Sequence, residues 1–132
     1  MERDTARLAL TVRQPWAWLI VNGLKDVENR SWSSRHTGPL LIHAGKKLDL
    51  DACTEHWRLL PSLDDLVLGA VIGEVQVTGC VRDSPSEWAV PGEVHWLLEQ
   101  PQVWEKPLPA LGRQGLFLIE RDGTSRAFTR KP

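Results

Sequence analysis

Pro15 and Gly23 bracket a stretch that is apolar at every position but Asn22. Proline suits the first position of a helix and glycine the residue just past its end, so this punctuation predicts a short helix over Pro15 to Asn22. Trp16, Ala17, Trp18, Leu19, Ile20 and Val21 make that helix apolar nearly all round. Such a helix has to be enclosed by the rest of the chain. Leu8 to Val12 (Leu-Ala-Leu-Thr-Val) reads as a buried first strand, which Arg13-Gln14-Pro15 breaks. The 132 residues amount to a single domain, 1–132, long enough to bury a core without a metal or disulfide staple.

Further along, Asp26 to Trp32 reads as a strand, with Asp26, Glu28, Arg30 and Trp32 on one face and Val27, Asn29 and Ser31 on the other. Pro39 to Ala44 is an apolar strand. Leu50 to Leu60 has helical spacing behind Asp49 as N-cap. Gly69 to Val81 alternates as a long central strand. Ser84 to Gly92 is loop or a single turn. Val94 to Val103 and Gly115 to Glu120 close the set, joined by a connection containing Pro107 and Pro109. Five or six strands with two helices, without regular βαβ alternation, predict an α+β fold. A small, closed or nearly closed mixed β-barrel with its helices packed outside suits that inventory.

Composition excludes several classes. The uncharged stretches ending at Leu24 and Gly73 fall well short of the roughly 18–20 apolar residues of a membrane span. Cys53 and Cys80 form no disulfide framework, which suits a reducing, cytoplasmic setting. The four histidines show no ligand spacing beyond Cys53 with His56, so neither a metal nor another cofactor is expected. Glycine-rich phosphate loops and a Gly-x-Ser-x-Gly elbow are both missing. Charge is uneven along the chain. Residues 1–47 hold eight basic and four acidic side chains, residues 48–109 three and eleven, and residues 110–132 five and two. If the two ends lie side by side, they make a basic face suited to a phosphate-bearing partner.

The stretch from Thr11 to Gly45 is dense in groups that hold polar, planar ligands. Arg13 and Gln14 stand at the strand-to-helix junction, followed by Lys25, Glu28, Asn29 and Arg30, then by His43 and Lys46. Trp16, Trp18 and Trp32 add flat apolar surface. Stacking rings, hydrogen-bonding edges and cations together are what recognition of an unpaired base requires. Each residue also has a structural reading: the tryptophans as core, Glu28 with Arg30 as a salt bridge, His43 as a satisfied core histidine.

Gly23-Leu24-Lys25-Asp26-Val27-Glu28-Asn29-Arg30 fits the pattern Gly-x-Lys-x-x-Glu-x-Arg, preceded by Val12-Arg13-Gln14-Pro15-Trp16 and followed by Gly38-Pro39-Leu40-Leu41-Ile42-His43-Ala44. In this the chain resembles the ASCH domain, a branch of the PUA-like superfamily. The resemblance is strongest over residues 8–46 and extends more loosely to residue 116. It implies a small β-barrel whose cleft, lined by the motif, is the ligand site.

What the resemblance implies about function takes three forms. The first is binding of RNA or of a possibly modified nucleoside, with Arg13, Gln14, Trp16, Asn29, Arg30, Trp32, His43 and Lys46 as ligand contacts, and with an affinity that falls steeply with salt. The second is metal-independent hydrolysis of N4-acylcytidines, with Lys25 as base. In the amidohydrolase members that lysine works with a threonine three residues later and with a downstream glutamate. Here Glu28 stands at the threonine position, and Glu87 and Glu93 are alternatives for the glutamate. The third is a ribonuclease using Lys25 and His43 as acid and base.

Overall fold

A computed structural model describes residues 5–128. Its strands are β1 (Arg7–Gln14), β2 (Val27–Arg30), β3 (Gly38–Leu48), β4 (Ala70–Val81), β5 (Val94–Pro109), β6 (Leu116–Ile119) and β7 (Ser125–Ala127). Its α-helices are α1 (Trp16–Val21) and α2 (Leu50–Glu55), with short 3-10 turns at Trp57–Leu59 and Leu63–Asp65. The strands form one mixed sheet in the order β2-β5-β4-β3-β1-β6-β7. Only β1 and β3 run parallel; every other neighbouring pair is antiparallel. Among the described residues the fold is α+β, with seven strands where five or six are expected from the sequence, and their main-chain ladder does not close into a full barrel.

Helix α1 follows from its punctuation. Pro15 is the N-cap, reached through a cis peptide bond, so the helix starts one residue later than expected. The Gln14 side chain accepts from Trp18 N–H at 2.9 Å and so caps the first turn from outside. At the other end Gly23 takes φ +79°, its N–H bonds Ile20, and Leu24 N–H bonds Leu19. This pair of bonds is the Schellman stop, which needs the left-handed conformation that glycine supplies. Lys25 N–H also bonds the Leu19 carbonyl at 3.0 Å, so the helix end fixes where Lys25 begins.

Strand alternation sorts the core into two faces. Leu10 and Val12 of β1, Leu40, Ile42 and Ala44 of β3, and Val75 and Val77 of β4 pack with Ala17, Ile20 and Val21 of α1 around buried Trp96. Ala9, Leu41, Val71, Phe117 and Ile119 pack on the opposite face, against Trp104 and Leu108 of β5. α1 approaches β4 so closely that a Cβ on Gly73 would lie 2.8 Å from a Val21 methyl and 2.2 Å from the Gln102 carbonyl oxygen.

Several boundaries differ from the sequence reading. β3 continues through Lys46 and Lys47 to Leu48, because Leu48 pairs with Gln14 after a register shift. β5 runs through Pro107 to Pro109 where a connection is expected. β2 pairs only with Val94–Leu97, so the far half of β5 has a neighbour on one side alone, and a missing proline N–H costs no ladder bond there. Helix α2 ends at Glu55, short of the expected Leu60, and Asp49 caps it by accepting from Ala52 N–H at 3.0 Å. No helix among the described residues is long and apolar enough to cross a membrane.

Candidate functional site

The motif strand β2 carries its charged residues into a cleft of about 1230 Å³. Arg13, Trp16, Lys25, Glu28, Asn29, Arg30 and Trp32 all line it. So do Thr11 within β1, Glu55 and His56 at the end of α2, Glu87 to Pro91 and Glu93 from the β4–β5 loop, and Arg113 to Gly115 before β6.

At its base lies a chain of charges. Lys25 is 4% exposed and donates to the Val27 carbonyl and, at 3.4 Å, to Glu28 Oε1. Glu28 Oε2 accepts from Arg30 Nε at 2.9 Å. Arg30 donates onward from Nη2 to the Thr11 carbonyl at 2.5 Å. One carboxylate is thus shared by two cations, which is how a buried charge is tolerated. Burial pushes the Lys25 ammonium below its ordinary value, and the Glu28 carboxylate opposes that shift.

Above these groups stand the rings. Trp16 donates to Asp49 Oδ2 at 3.3 Å, and its ring centroid lies 5.7 Å from Lys25 Nζ. Its ring meets those of His56 at 5.5 Å and Trp88 at 6.3 Å, both edge-on. Trp32 stands edge-on to Trp96 at 5.0 Å and accepts from that indole N–H at its carbonyl. Asn29 Nδ2 donates to the Trp88 carbonyl, and its Oδ1 accepts from Val90 N–H, both at 2.9 Å.

Four residues singled out from the sequence lie outside this cleft, half-buried Trp18 of α1 among them. Gln14 is fully buried; its amide donates to the Val67 carbonyl and caps α1. His43 is 1% exposed on the opposite face of the sheet, with Nε2–H donating to Ala110 and Nδ1 accepting from the Thr11 hydroxyl at 3.0 Å. Desolvation holds His43 below its usual pKa, so it is a neutral, satisfied core histidine. Lys46 is exposed on β3 and is not part of the lining. The third functional form therefore lacks its pair, since Lys25 and His43 do not meet.

The structure adds His56, Trp88 and Arg113, which no motif marks. They come from a helix end and two loops, and only the fold brings them to β2. Both alternatives for the downstream glutamate, Glu87 and Glu93, line the cleft. The two basic segments do lie side by side, as β3-β1-β6-β7, and part of their charge is paired. Arg7 pairs with Glu74 at 2.6 Å and Arg126 with Glu120 at 3.0 Å, whereas Arg113 bonds only Ser125 among the described residues, a neutral partner that leaves its charge available. The lining itself balances Arg13, Lys25, Arg30 and Arg113 against Glu28, Glu55, Glu87 and Glu93. No group of three or more metal-ligating side chains occurs among the described residues.

Comparison with known proteins places this geometry in context. The family model described as ASCH domain matches residues 10–108. Activating signal cointegrator 1 of Homo sapiens is 37% identical over 81 aligned positions, which take in 54% of this chain and 14% of that protein. Its Mus musculus counterpart is 38% identical over the same share. The match therefore spans only a small part of either relative. Among solved structures, ASCH from Zymomonas mobilis superposes with a TM-score of 0.57 at 15% identity, over 91% of this chain and 92% of that one. A serine-to-alanine variant of that protein gives 0.56 at 16%, over 88% and 89%. At such identities the likeness concerns the fold alone.

Proposed function

This chain belongs to the ASCH domain family, and from that premise we propose that its cleft binds an unpaired nucleobase, carried by single-stranded RNA or by a nucleoside. The carrying observation is that Trp16 and Trp32 share the cleft with Arg13, Lys25 and Arg30. Rings supply stacking, and the cations and carboxylates supply edge and phosphate contacts. Residues 1–132 act as a single binding unit in this reading. It works in the cytoplasm, where free thiols such as Cys53 and Cys80 persist.

Because the lining charges cancel, attraction for phosphate falls to few groups. Arg13 is exposed and has no side-chain partner among the described residues. With Arg13 and Arg113 each taking one phosphate, the salt slope for a single strand is shallow, about −1 to −2 in log–log terms. A basic face with every cation free would give a steep one. The test is an anisotropy titration with a fluorescein-labelled single-stranded RNA octamer, its duplex, and unlabelled cytidine and adenosine as competitors. Single-strand binding that exceeds duplex binding supports the reading. Failure of every strand and nucleoside to bind overturns it.

A second reading is metal-independent amide hydrolysis of N4-acylcytidines. The observation favouring it is a desolvated lysine whose pKa is lowered toward the range of a useful base. Lys25, in its neutral form, would take a proton from a water that Glu28 helps to orient; the water oxygen would bond the acyl carbon while Arg30 steadies the developing oxyanion, and as the C–N4 bond breaks Lys25 would return the proton to the departing cytosine amine. Release of cytidine from N4-acetylcytidine in EDTA by the wild type, and not by Lys25→Ala, is the expected result. Equal release by both excludes Lys25 as the base.

A further inference from the structure

We propose that Trp88 is the ring on which the base stacks, and that Asn29 is a positioning residue that holds the Trp88 loop against Trp16 and His56. This rests on the nucleobase-binding reading and specifies the occupant as an unpaired base of a single strand.

Trp88 belongs to neither hydrophobic core cluster. It is half-buried, and its ring meets His56 at 5.1 Å and Trp16 at 6.3 Å. These three rings stand in a cleft otherwise lined largely by charged and polar groups. An indole placed there, and not in the core, offers a flat face to a flat ligand. In a duplex the faces of the bases are covered by their neighbours, whereas a single strand can splay one out.

Loops are ordinarily the mobile part of a domain. This one is tied to β2 and β5 along its length. Ser84 N–H donates to His95 Nδ1 at 3.2 Å, and His95 Nε2–H donates to the Val90 carbonyl at 2.7 Å. Ser86 Oγ donates to Asp26 Oδ1 at 2.5 Å and accepts from Trp88 N–H at 3.2 Å. Asn29 clasps the backbone on both sides of the loop tip, at Trp88 and Val90. Both ends of its amide are engaged in that clasp, so Asn29 works on the loop and Trp88 on the ligand. His95 is the cross-strand partner of Asn29 in the β2–β5 ladder, which puts the two clasps at one level of the sheet. A wall fixed in advance spares the ordering cost that a mobile loop incurs on binding.

The experiment is the anisotropy titration with the full chain, the same single-stranded RNA octamer, and the variants Trp88→Ala, Trp88→Phe, Asn29→Ala, Asn29→Asp and Trp88→Ala/Asn29→Ala, each checked by thermal unfolding. Trp88→Ala is expected to weaken binding about 10- to 100-fold, the loss typical of one base–aromatic stack, with Trp88→Phe retaining most of the affinity. Asn29→Ala is expected to weaken binding by up to that factor. Asn29→Asp keeps the acceptor for Val90 and falls between wild type and Asn29→Ala. The double variant is expected to bind no more weakly than Trp88→Ala alone, because Asn29 acts through Trp88. If wild type binds and Trp88→Ala binds within twofold of it, the stacking assignment is wrong while the nucleobase reading stands. If the losses multiply in the double variant, Asn29 contacts the ligand independently and the positioning role is wrong. If wild type binds no strand, both readings fall together.

Discussion

The Arg30 guanidinium donates to the Thr11 carbonyl at 2.5 Å, although their strands stand four places apart in the sheet. The sheet is curled enough for β2 to face β1 at Thr11, and a side chain bridges a gap that the main-chain ladder of the described residues leaves open. The same guanidinium holds Glu28 at 2.9 Å, so sheet closure and the charge at the cleft base depend on one residue. Arg30→Ala leaves Glu28 with Lys25 alone and the Thr11 carbonyl without this donor. The expected cost is about 2–3 kcal/mol in urea unfolding. Arg30→Lys keeps the charge but has no planar fork to span both acceptors, and is expected to recover less than half of that loss.

Lys25 makes stability pH-dependent on the alkaline side. Its folded pKa is held below 10.5 by desolvation, so between the two values the unfolded chain binds more protons. Unfolding free energy therefore rises with pH from the lowered value up to about 10.5. Cys53 works the other way, since burial raises its thiol pKa above 9.0. The comparison is best made in a Cys53→Ala background, and the chain has no tyrosine to titrate in this range. Lys25→Met is expected to abolish the rise. An equal rise in Lys25→Met would show that Lys25 is not its source.

His43 sets an acid-side dependence of the same sign. Desolvation lowers its folded pKa below 6.5, while the unfolded histidine titrates near 6.5. Stability is full above 6.5 and declines as pH falls from there through the lowered value, where the ring protonates and Nδ1 stops accepting from Thr11. Equilibrium unfolding between pH 7.5 and 4.5 is expected to show the decline in wild type and a flatter profile in His43→Gln.

Gly73→Ala tests how α1 is seated. The new methyl would lie 2.2 Å from the Gln102 carbonyl oxygen, which is strand backbone, and 2.9 Å from Val21 Cβ. Neither neighbour is the free end of a flexible side chain. The expected loss is about 3 kcal/mol or more, read as a lowered urea midpoint at unchanged m-value.

The sequence made legible those features that are encoded locally. Pro15 and Gly23 mark α1 because cap and stop are chemical requirements of the helix itself, and β1 shows because Leu8 to Val12 is a nearly continuous apolar run that suits a strand buried on both faces. Pro107 and Pro109 misled for a tertiary reason: proline forbids a central strand, and only the sheet order reveals that this half of β5 has one partner. The motif on β2 announced Lys25, Glu28 and Arg30, since alternation puts Glu28 and Arg30 on one face. Nothing local announces Trp88 or His56, which reach the cleft through a loop and a helix end. Gln14 and His43 carry the same polar chemistry as true site residues, and only their partners show that they serve the fold.

If the cleft takes an unpaired base against its tryptophans, their indole N–H resonances report it directly. The chain has seven indole N–H groups, three of them in the cleft, at Trp16, Trp32 and Trp88. We would assign them by single substitutions in 1H–15N spectra and titrate with the single-stranded RNA octamer. Shifts are expected at those three, led by Trp88, with Trp57 and Trp104 unmoved. Saturation by RNA with the cleft indoles still, or with shifts confined to Trp57 and Trp104, would contradict base binding in the cleft.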